Sequence, residues 1–246
     1  MSCRLVIAVD GPVASGKTTI ARRLAQEYGL PFLDTGLLYR AVARRLLEQG
    51  ADPHDEETAV AAARALEPEE LRDDPSLYAE QIGALASRVA AIAAVREALL
   101  PFQRRFAQGP RGAVLAGRDI GTVICPDALV KLFVTASVEE RARRRVEQLR
   151  ARGERPIYAR VLEELRMRDR RDRERAVAPL RPAADALVLD TTGMDVDATL
   201  EVARRHIEAR LREAGNCRSD ASPGAQAQPQ PAGSRNGTAV RYSEYE

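Results

Sequence analysis

Short runs of consecutive apolar residues alternate along the chain with longer stretches in which apolar residues recur every three or four positions. The short runs cover residues 5–9, 31–33, 113–116, 130–134 and 186–189. Strands that are apolar on both faces are typical of a parallel sheet covered by helices on each side. The pattern therefore predicts a three-layer α/β/α fold, in which the central layer is a five-stranded parallel sheet.

The longer stretches predict helices over residues 18–28, 37–49, 87–106, 138–152 and 158–174. Residues 51–77 are acidic, rich in alanine and interrupted by prolines, and they predict a small helical excursion from the sheet. From about Gly215 onward Gly, Pro, Gln, Ser and Ala dominate, so we expect a disordered tail over 215–246 after a folded domain at 1–214. Ligands of such sheets bind beyond the carboxyl ends of the strands, where we expect the functional site.

The composition narrows the possible functions. Of the 246 residues, 45% are hydrophobic and 30% charged, and the formal net charge of +2 argues against a surface that binds nucleic acid throughout. The basic excess is local, with 14 Arg against 7 Asp and Glu between Arg141 and Arg175. Three widely spaced cysteines predict neither a disulfide framework nor a metal site, and the first apolar run is too short for a membrane span. We therefore expect a cytoplasmic protein with no membrane partner.

Residues 11–18, GPVASGKT, fit the phosphate-binding motif G-x-x-x-x-G-K-[ST] between the first predicted strand and the first predicted helix. Glycines let successive backbone N–H groups face a polyphosphate, and the helix N-terminus adds positive potential. Lys17 is expected to reach the β- and γ-phosphates of ATP, and the Thr18 hydroxyl to bind Mg²⁺. The predicted ATP contacts in this loop are Gly11, Pro12, Val13, Ala14, Ser15, Gly16, Lys17, Thr18 and Thr19.

Other classes of phosphate-loop protein fit less well. A GTPase needs an N-K-x-D motif, but the only asparagines are Asn216 and Asn236, and no L-S-G-G-Q-like signature of a transporter ATPase occurs. A small kinase with a second substrate is therefore favoured, with UMP or a related acceptor as an open alternative. An RNA-binding module built on residues 141–175 is disfavoured, because Tyr158 is the only aromatic residue of that segment.

Two further motifs follow predicted strands. In DTGLLYR, residues 34–40, Asp34 or Thr35 can cap the next helix, whose N-terminus, with Arg40 about a turn inside, offers a second phosphate site. In GRDIGT, residues 117–122, the glycines would let Arg118 and Asp119 project into the crevice, although a plain loop ion pair explains the same residues.

Six blocks occur in order over residues 4–212: GPVASGKTT, DTGLLYR, ASRVA…VREAL, GRDIGTV, RDRRDRER and AVAPLRPAADALVLDT. In this combination the chain resembles the bacterial cytidylate kinases, nucleoside-monophosphate kinases that transfer the γ-phosphoryl group of ATP to CMP or dCMP. The resemblance implies a P-loop core, a monophosphate-binding region at about residues 36–100 and a mobile arginine-rich lid at about 141–160. It also implies ATP, CMP and dCMP as partners, Mg²⁺ as the metal, and a monomer without a nucleic-acid partner.

The resemblance further implies roles for particular side chains. The contacts implied for the CMP phosphate are Thr35, Arg40, Arg118 and Arg175. Those implied for the cytosine are Ser87, Arg96 and Asp119, and those for the ribose are Arg168 and Asp172. The lid arginines on ATP would come from Arg141, Arg144 and Arg145, while catalysis would rest on Lys17, Arg144 and Arg175. One departure is that residues 51–86 are short and strand-free, where the long form of these enzymes has a β-rich insertion.

The run RDRRDRER, residues 168–175, consists entirely of charged residues. Helical spacing places Arg168, Asp172 and Arg175 on one face, at i, i+4 and i+7, suited to a ribose and a phosphate. The remaining residues are expected to form a solvated surface that points largely elsewhere: Arg170, Arg171, Arg173 and Glu174.

Overall fold

The computed structural model describes residues 4–52, 55–71 and 74–215, so the predicted tail beyond Gly215 lies outside the described residues. Five strands form one parallel sheet in the order β2-β3-β1-β4-β5. They are β1 (Leu5–Asp10), β2 (Phe32–Asp34), β3 (Gly112–Gly117), β4 (Val130–Thr135) and β5 (Leu187–Asp190). The five predicted strands and the parallel α/β sheet are thereby confirmed.

The helices lie between the strands along the chain, with four in succession between β2 and β3, and α8 follows the last strand. They are α1 (Lys17–Glu27), α2 (Thr35–Glu48), α3 (Glu56–Arg64), α4 (Glu80–Val89), α5 (Ala93–Ala107), α6 (Val138–Ala151), α7 (Tyr158–Glu174) and α8 (Val196–Glu213). Short 3₁₀ turns cover Pro68–Leu71 and Pro75–Tyr78, and a π-helical turn covers Ile120–Ile124. No helix in the described part of the chain is long and apolar enough to cross a membrane.

The single helix predicted over residues 87–106 is wrong, because two helices, α4 and α5, share this region. The chain turns at residues 90–92, where Ile92 has an extended backbone (ψ 117°). α4 packs on α2, whereas α5 packs on α3 and β3, so the two helices serve different surfaces. The Arg96 guanidinium donates to the Ala90 carbonyl at 3.2 Å and satisfies an acceptor at the end of α4. Packing, not the helix propensity of this alanine-rich stretch, therefore sets the break.

Helices cover both faces of the sheet. α1 and α8 pack on one face, where Leu24 and Ile207 are fully buried, and α5 packs on the other, where Phe106 and Leu115 are fully buried. Burying a side chain of this size stabilises a fold by about 1.5–3 kcal/mol. Burial beneath helices on two sides thus explains the apolar sequence of the central strands.

Two further apolar clusters lie outside the sheet layers. α2, α3, α4 and the start of α5 share one, which includes Val42, Leu46 and Leu85. α6 and α7 share the other, which includes Val146 and Leu165. The helical excursion predicted for residues 51–77 is confirmed in its described residues by α3 and the two 3₁₀ turns.

Strand register brings the motifs to one edge. The pairing of β1 with β3 aligns Asp10 with Gly117, and the pairing of β2 with β3 aligns Asp34 with Ala116. Because all strands are parallel, the phosphate loop, the start of α2 and the loop after β3 leave the sheet side by side. This is the edge at which open α/β sheets bind ligands.

Candidate active site

A cavity of about 440 Å³ opens at the carboxyl edge of the sheet. Its walls come from the phosphate loop, α2, α4, α5, the loop after β3, α6 and α7. Eight cationic side chains and three carboxylates line it: Lys17, Arg40, Arg96, Arg118, Arg145, Arg152, Arg168, Arg175, Asp34, Asp119 and Asp172. A concave surface with this excess of five positive charges concentrates polyanions.

The cavity brings together every residue predicted for the acceptor: Thr35, Arg40, Ser87, Arg96, Arg118, Asp119, Arg168, Asp172 and Arg175. From the phosphate loop and the start of α1 the lining residues are Val13, Ala14, Gly16, Lys17, Thr18 and Thr19. Gly11, Pro12 and Ser15 are buried behind this surface. These predicted residues thus come from six sequence-separated segments and line one concave site.

Close packing against the sheet shapes the phosphate loop. Gly11 has φ +152°, and a Cβ at this position would lie 2.0 Å from the Val134 carbonyl oxygen, so only glycine fits. Gly16, with φ +88°, precedes the first residue of α1, and Ala14 holds a left-handed conformation at φ +59°. A left-handed non-glycine residue costs about 1–3 kcal/mol and persists where the surrounding structure requires it.

Lys17 and Thr18 stand at the first turn of α1. The buried Lys17 ammonium donates to the Pro12 carbonyl at 3.2 Å. Burial, followed by the positive charge of Arg118, holds the pKa of Lys17 well below its usual value. The Thr18 hydroxyl donates to Asp34 Oδ2 at 3.2 Å. A hydroxyl and a carboxylate oxygen are thus paired beside the loop.

Asp34 also starts α2. Its Oδ1 accepts from the Gly36 N–H at 2.9 Å, which makes Asp34 the N-cap. Thr35 instead donates its hydroxyl to the Ala116 carbonyl at 3.0 Å. The structure thereby decides between the two predicted caps in favour of Asp34.

An uncompensated cation cluster forms the middle of the cavity. Arg118 Nε donates to Asp172 Oδ2 at 2.8 Å, and Arg168 lies next to both. Burial, together with the charge of Arg118, lowers the pKa of Arg168 to about 9. Burial alone would raise the pKa of Asp172, but Arg118 and Arg168 hold it below its usual value. One carboxylate facing two guanidinium groups leaves room for a further anion.

Two buried guanidinium nitrogens support this anion site. Arg168 Nε and Arg175 Nη2 have no hydrogen-bond partner among the described residues. Buried donors of this kind cost free energy unless an acceptor reaches them. A phosphate oxygen supplies an acceptor and a negative charge together.

Arg40 forms the wall opposite this cluster. Its Nη1 donates to the Leu77 carbonyl at 2.8 Å. Gly83 of α4 makes space for the guanidinium, since a Cβ there would lie 3.3 Å from Arg40 Nη1. Burial lowers the pKa of Arg40.

The far end of the cavity is built on the loop after β3. Asp119 forms a buried ion pair with Arg96 of α5, and its other oxygen lies 3.7 Å from Arg175 Nη2. Arg118 pairs instead with α7, so the plain loop ion pair between Arg118 and Asp119 is excluded. The Arg96 guanidinium lies 5.6 Å from the centre of the Tyr39 ring. A carboxylate, a guanidinium and an aromatic ring therefore meet in one small area.

Asp10 holds this loop in place, although no sequence pattern singled it out. Its two oxygens accept from the Ile120 and Gly121 N–H groups, each at 2.8 Å. Burial raises the pKa of Asp10 to about 6. The signal available in the sequence was a charged residue at the end of an otherwise apolar strand.

Of the three predicted lid arginines, only Arg145 lines the cavity. Arg141 is buried in an ion pair with Asp169, and Arg144 donates to Thr191 and the Ser15 carbonyl behind the phosphate loop. Arg152 also lines the cavity and was missed. It follows Arg145 by seven residues, and this helical spacing could have identified it.

Arg171 is exposed, as predicted, but it also makes a contact that links two helices beside the cavity. Arg171 Nη1 donates to the Ser87 hydroxyl at 3.0 Å and so links α7 to α4. Asp169, which belonged neither to the predicted ligand-binding face nor to the predicted solvated surface, is buried against Arg141. Arg170 and Arg173 are exposed, as predicted.

A parallel sheet, a phosphate loop opening α1 and a cation-lined acceptor cavity beside it define a P-loop kinase for small phosphorylated substrates. The family model for cytidylate kinase matches residues 7–209. The chain therefore belongs to the cytidylate kinase family.

Curated relatives named cytidylate kinase agree with this assignment. The relative from Methylocella silvestris is 58% identical and covers 83% of this chain and 94% of its own length. The relative from Methylobacterium sp. (strain 4-46) is 59% identical, with 84% and 98% covered. That from Afipia carboxidovorans is 55% identical, with 83% and 97% covered.

Proposed function

We propose that this chain transfers the γ-phosphoryl group of ATP to CMP or dCMP, giving ADP and CDP or dCDP. The observation that carries the proposal is the single cavity that runs from Lys17 in the phosphate loop, across the arginine cluster, to the Arg96–Asp119 pair. Membership of the cytidylate kinase family supports the same reaction.

The donor side would hold the ATP phosphates. Backbone N–H groups of the loop face the β- and γ-phosphates, and Lys17 exchanges its present contact with the Pro12 carbonyl for a phosphate oxygen. Arg145 and Arg152 approach from α6 and neutralise charge on the transferring group. A contact with a carbonyl is weaker than one with an anion, so phosphate binding strengthens the interaction of Lys17.

The acceptor side would hold the monophosphate in line with the γ-phosphoryl group. Arg40, Arg118 and Arg175 contact the phosphate of CMP, with the Thr35 hydroxyl beside them. Arg168 and Asp172 contact the ribose. Arg168 Nε and Arg175 Nη2, which make no hydrogen bond to the described residues, support these roles, because the substrate supplies acceptors for them.

Base selection would depend on the Arg96–Asp119 pair and Ser87. Cytosine carries an amino donor at N4 and acceptors at N3 and O2, whereas uracil carries an oxygen at position 4. A carboxylate accepts from the cytosine amino group, and a guanidinium donates to the ring acceptors. An oxygen at position 4 would meet the Asp119 carboxylate without a proton between them, which disfavours UMP.

The transfer itself needs no covalent intermediate. An oxygen of the acceptor phosphate forms a bond to the γ-phosphorus while the bond from the γ-phosphorus to the β–γ bridging oxygen breaks, and ADP takes the electron pair. The acceptor oxygen is already deprotonated at neutral pH, so no general base is required. The protein acts by alignment, charge neutralisation and exclusion of water.

Mg²⁺ fits the loop as part of this proposal. The Thr18 hydroxyl and Asp34 Oδ2, 3.2 Å apart, are hard oxygen donors of the kind that Mg²⁺ prefers. Held by these two side chains, Mg²⁺ would supply positive charge that offsets the negative charge of the ATP phosphates. We further propose that the enzyme is cytoplasmic and acts as a monomer. Size-exclusion chromatography with light scattering tests the monomeric state.

An acceptor screen tests the function. Coupled ADP release is measured with CMP, dCMP, UMP, AMP and GMP, beside the thermal shift that each nucleotide causes without ATP. We expect CMP and dCMP to give the highest kcat/KM and the largest stabilisation, because a ligand stabilises only a protein that binds it. A clear preference for UMP or a purine nucleotide would contradict the proposal.

A further inference from the structure

Tyr78 contacts two arginines that line the cavity and come from different parts of the chain. It ends the 3₁₀ turn Pro75–Tyr78, in the helical excursion between α2 and α4. The Arg40 guanidinium carbon lies 5.2 Å from the centre of its ring, and that of Arg152 lies 5.4 Å from the same centre. One ring thus contacts a cation of α2, on the acceptor side, and Arg152, the C-cap of α6.

Backbone hydrogen bonds reinforce both contacts. Arg40 Nη1 donates to the Leu77 carbonyl at 2.8 Å, and Arg152 Nη1 donates to the Tyr78 carbonyl at 3.3 Å. Successive carbonyls of the same turn therefore accept from the two arginines. The turn fixes where each guanidinium group points, and the ring adds an electrostatic attraction that a saturated side chain lacks.

The charges around Arg152 show why such a contact is needed. Burial, followed by the charge of Arg152, lowers the pKa of Arg145, its neighbour in the cavity wall. α6 therefore brings two mutually repelling cations towards a cavity that is already strongly positive. Before a nucleotide binds, the carbonyl and ring of Tyr78 offset part of this repulsion for Arg152.

We propose that Tyr78 is a positioning residue that couples closure of the α6 arginines to the acceptor site. Its ring and carbonyl hold Arg152, while its ring and the Leu77 carbonyl hold Arg40 for the acceptor phosphate. The cations of α6 then reach the transferring phosphoryl group only when the 3₁₀ turn Pro75–Tyr78 packs beside the acceptor site. This inference rests on the proposed kinase function.

The coupling has a measurable consequence besides rate. If the arginines of α6 approach the γ-phosphoryl group while the turn Pro75–Tyr78 is away from the acceptor site, water reaches the γ-phosphorus. The water oxygen then replaces the acceptor oxygen in the new bond. ATP and water then give ADP and inorganic phosphate. The ratio of phosphate release to CDP formation therefore reports the coupling, and a loss of general stability does not change that ratio.

The test compares Tyr78→Leu with Tyr78→Phe in the full chain. Tyr78→Leu should raise KM for CMP about fivefold to tenfold and raise the phosphate-to-CDP ratio by a similar factor, the range that one cation–π contact gives. Tyr78→Phe keeps the ring and should stay within about twofold of the wild type. Tyr28→Leu, at a half-buried tyrosine after α1 and outside the cavity, is the matched control and should leave both quantities unchanged.

A second variant keeps the inference testable if Tyr78→Leu folds poorly. Arg152→Gln, which removes the guanidinium group that the ring and carbonyl of Tyr78 hold, should reproduce the raised phosphate-to-CDP ratio. A normal ratio in Arg152→Gln, or unchanged KM and ratio in a folded Tyr78→Leu, overturns the coupling and leaves the kinase function standing. Failure of the wild type to make CDP from CMP overturns the kinase function itself.

Discussion

Asp10 should make the protein less stable as pH rises from about 4 to about 6. Burial raises the pKa of its carboxyl from 3.8 to about 6 in the folded chain, whereas the unfolded chain keeps the ordinary value. Between these two values the folded state binds more protons than the unfolded state. The free energy of unfolding then decreases with increasing pH, the opposite of the behaviour of a salt-bridged carboxylate.

The magnitude follows from the two pKa values. At about 1.4 kcal/mol for each pKa unit, the change from 3.8 to about 6 corresponds to a cost of about 3 kcal/mol once Asp10 is ionised in both states. The cost is absent below the unfolded pKa and complete above the folded one. At neutral pH the chain therefore gives up stability to hold the loop after β3 through two hydrogen bonds to ionised oxygens.

The assay is urea unfolding of the wild type and Asp10→Asn at several pH values between about 4 and about 7. The asparagine oxygen accepts from only one of the two N–H groups, so the variant is less stable by about 1–3 kcal/mol at the acid end of this range, where Asp10 carries no ionisation cost. The difference in unfolding free energy between the wild type and the variant should shift by about 2 kcal/mol against the wild type as pH rises across this range. The carboxyl of Asp10 is the titratable group that the variant lacks. A difference that stays constant with pH would refute the reasoning.

Two substitutions in the cavity and one beside it give further expected outcomes, each measured by coupled ADP release. Lys17→Ala should lower kcat by at least about 10²-fold, the scale of a preorganised electrostatic contact, and near-normal turnover would refute its role. Asp119→Asn should erode the preference for CMP over UMP, because an amide can donate as well as accept; an unchanged ratio of kcat/KM values would exclude Asp119 as the discriminator. Arg171→Ala, which frees the Ser87 hydroxyl, should raise KM for CMP several-fold, while the exposed Arg170→Ala should not. Equal behaviour of the two would show that the link from α7 to α4 is unimportant.

The elements that sequence predicts well are those with strong local signals. The central strands β1 and β3 are buried on both faces, so each of them reads as a continuous apolar run. The phosphate loop has a fixed spacing because its glycines meet other backbone, as Gly11 meets the Val134 carbonyl. The start of α2 was predicted within two residues, because Asp34 is a typical N-cap.

The elements that sequence predicts poorly depend on which face of a helix meets which neighbour. Spacing along α6 groups its arginines but does not say which group faces the cavity, and packing on α7 turns Arg141 towards Asp169 instead. Arg171 reaches Ser87 only because α7 passes α4. Asp10 lies more than a hundred residues from the loop that it holds, and no local pattern reports such a contact.

Transfer of label from [γ-³²P]ATP to unlabelled CMP tests the central claim most directly. The wild type should place the label on the β-phosphate of CDP, with little inorganic phosphate, and at a higher kcat/KM than with UMP, because a carboxylate can accept from the amino group of cytosine but not from the oxygen at position 4 of uracil. Label that appears mainly in inorganic phosphate, or in UDP at an equal or higher kcat/KM, would contradict the account.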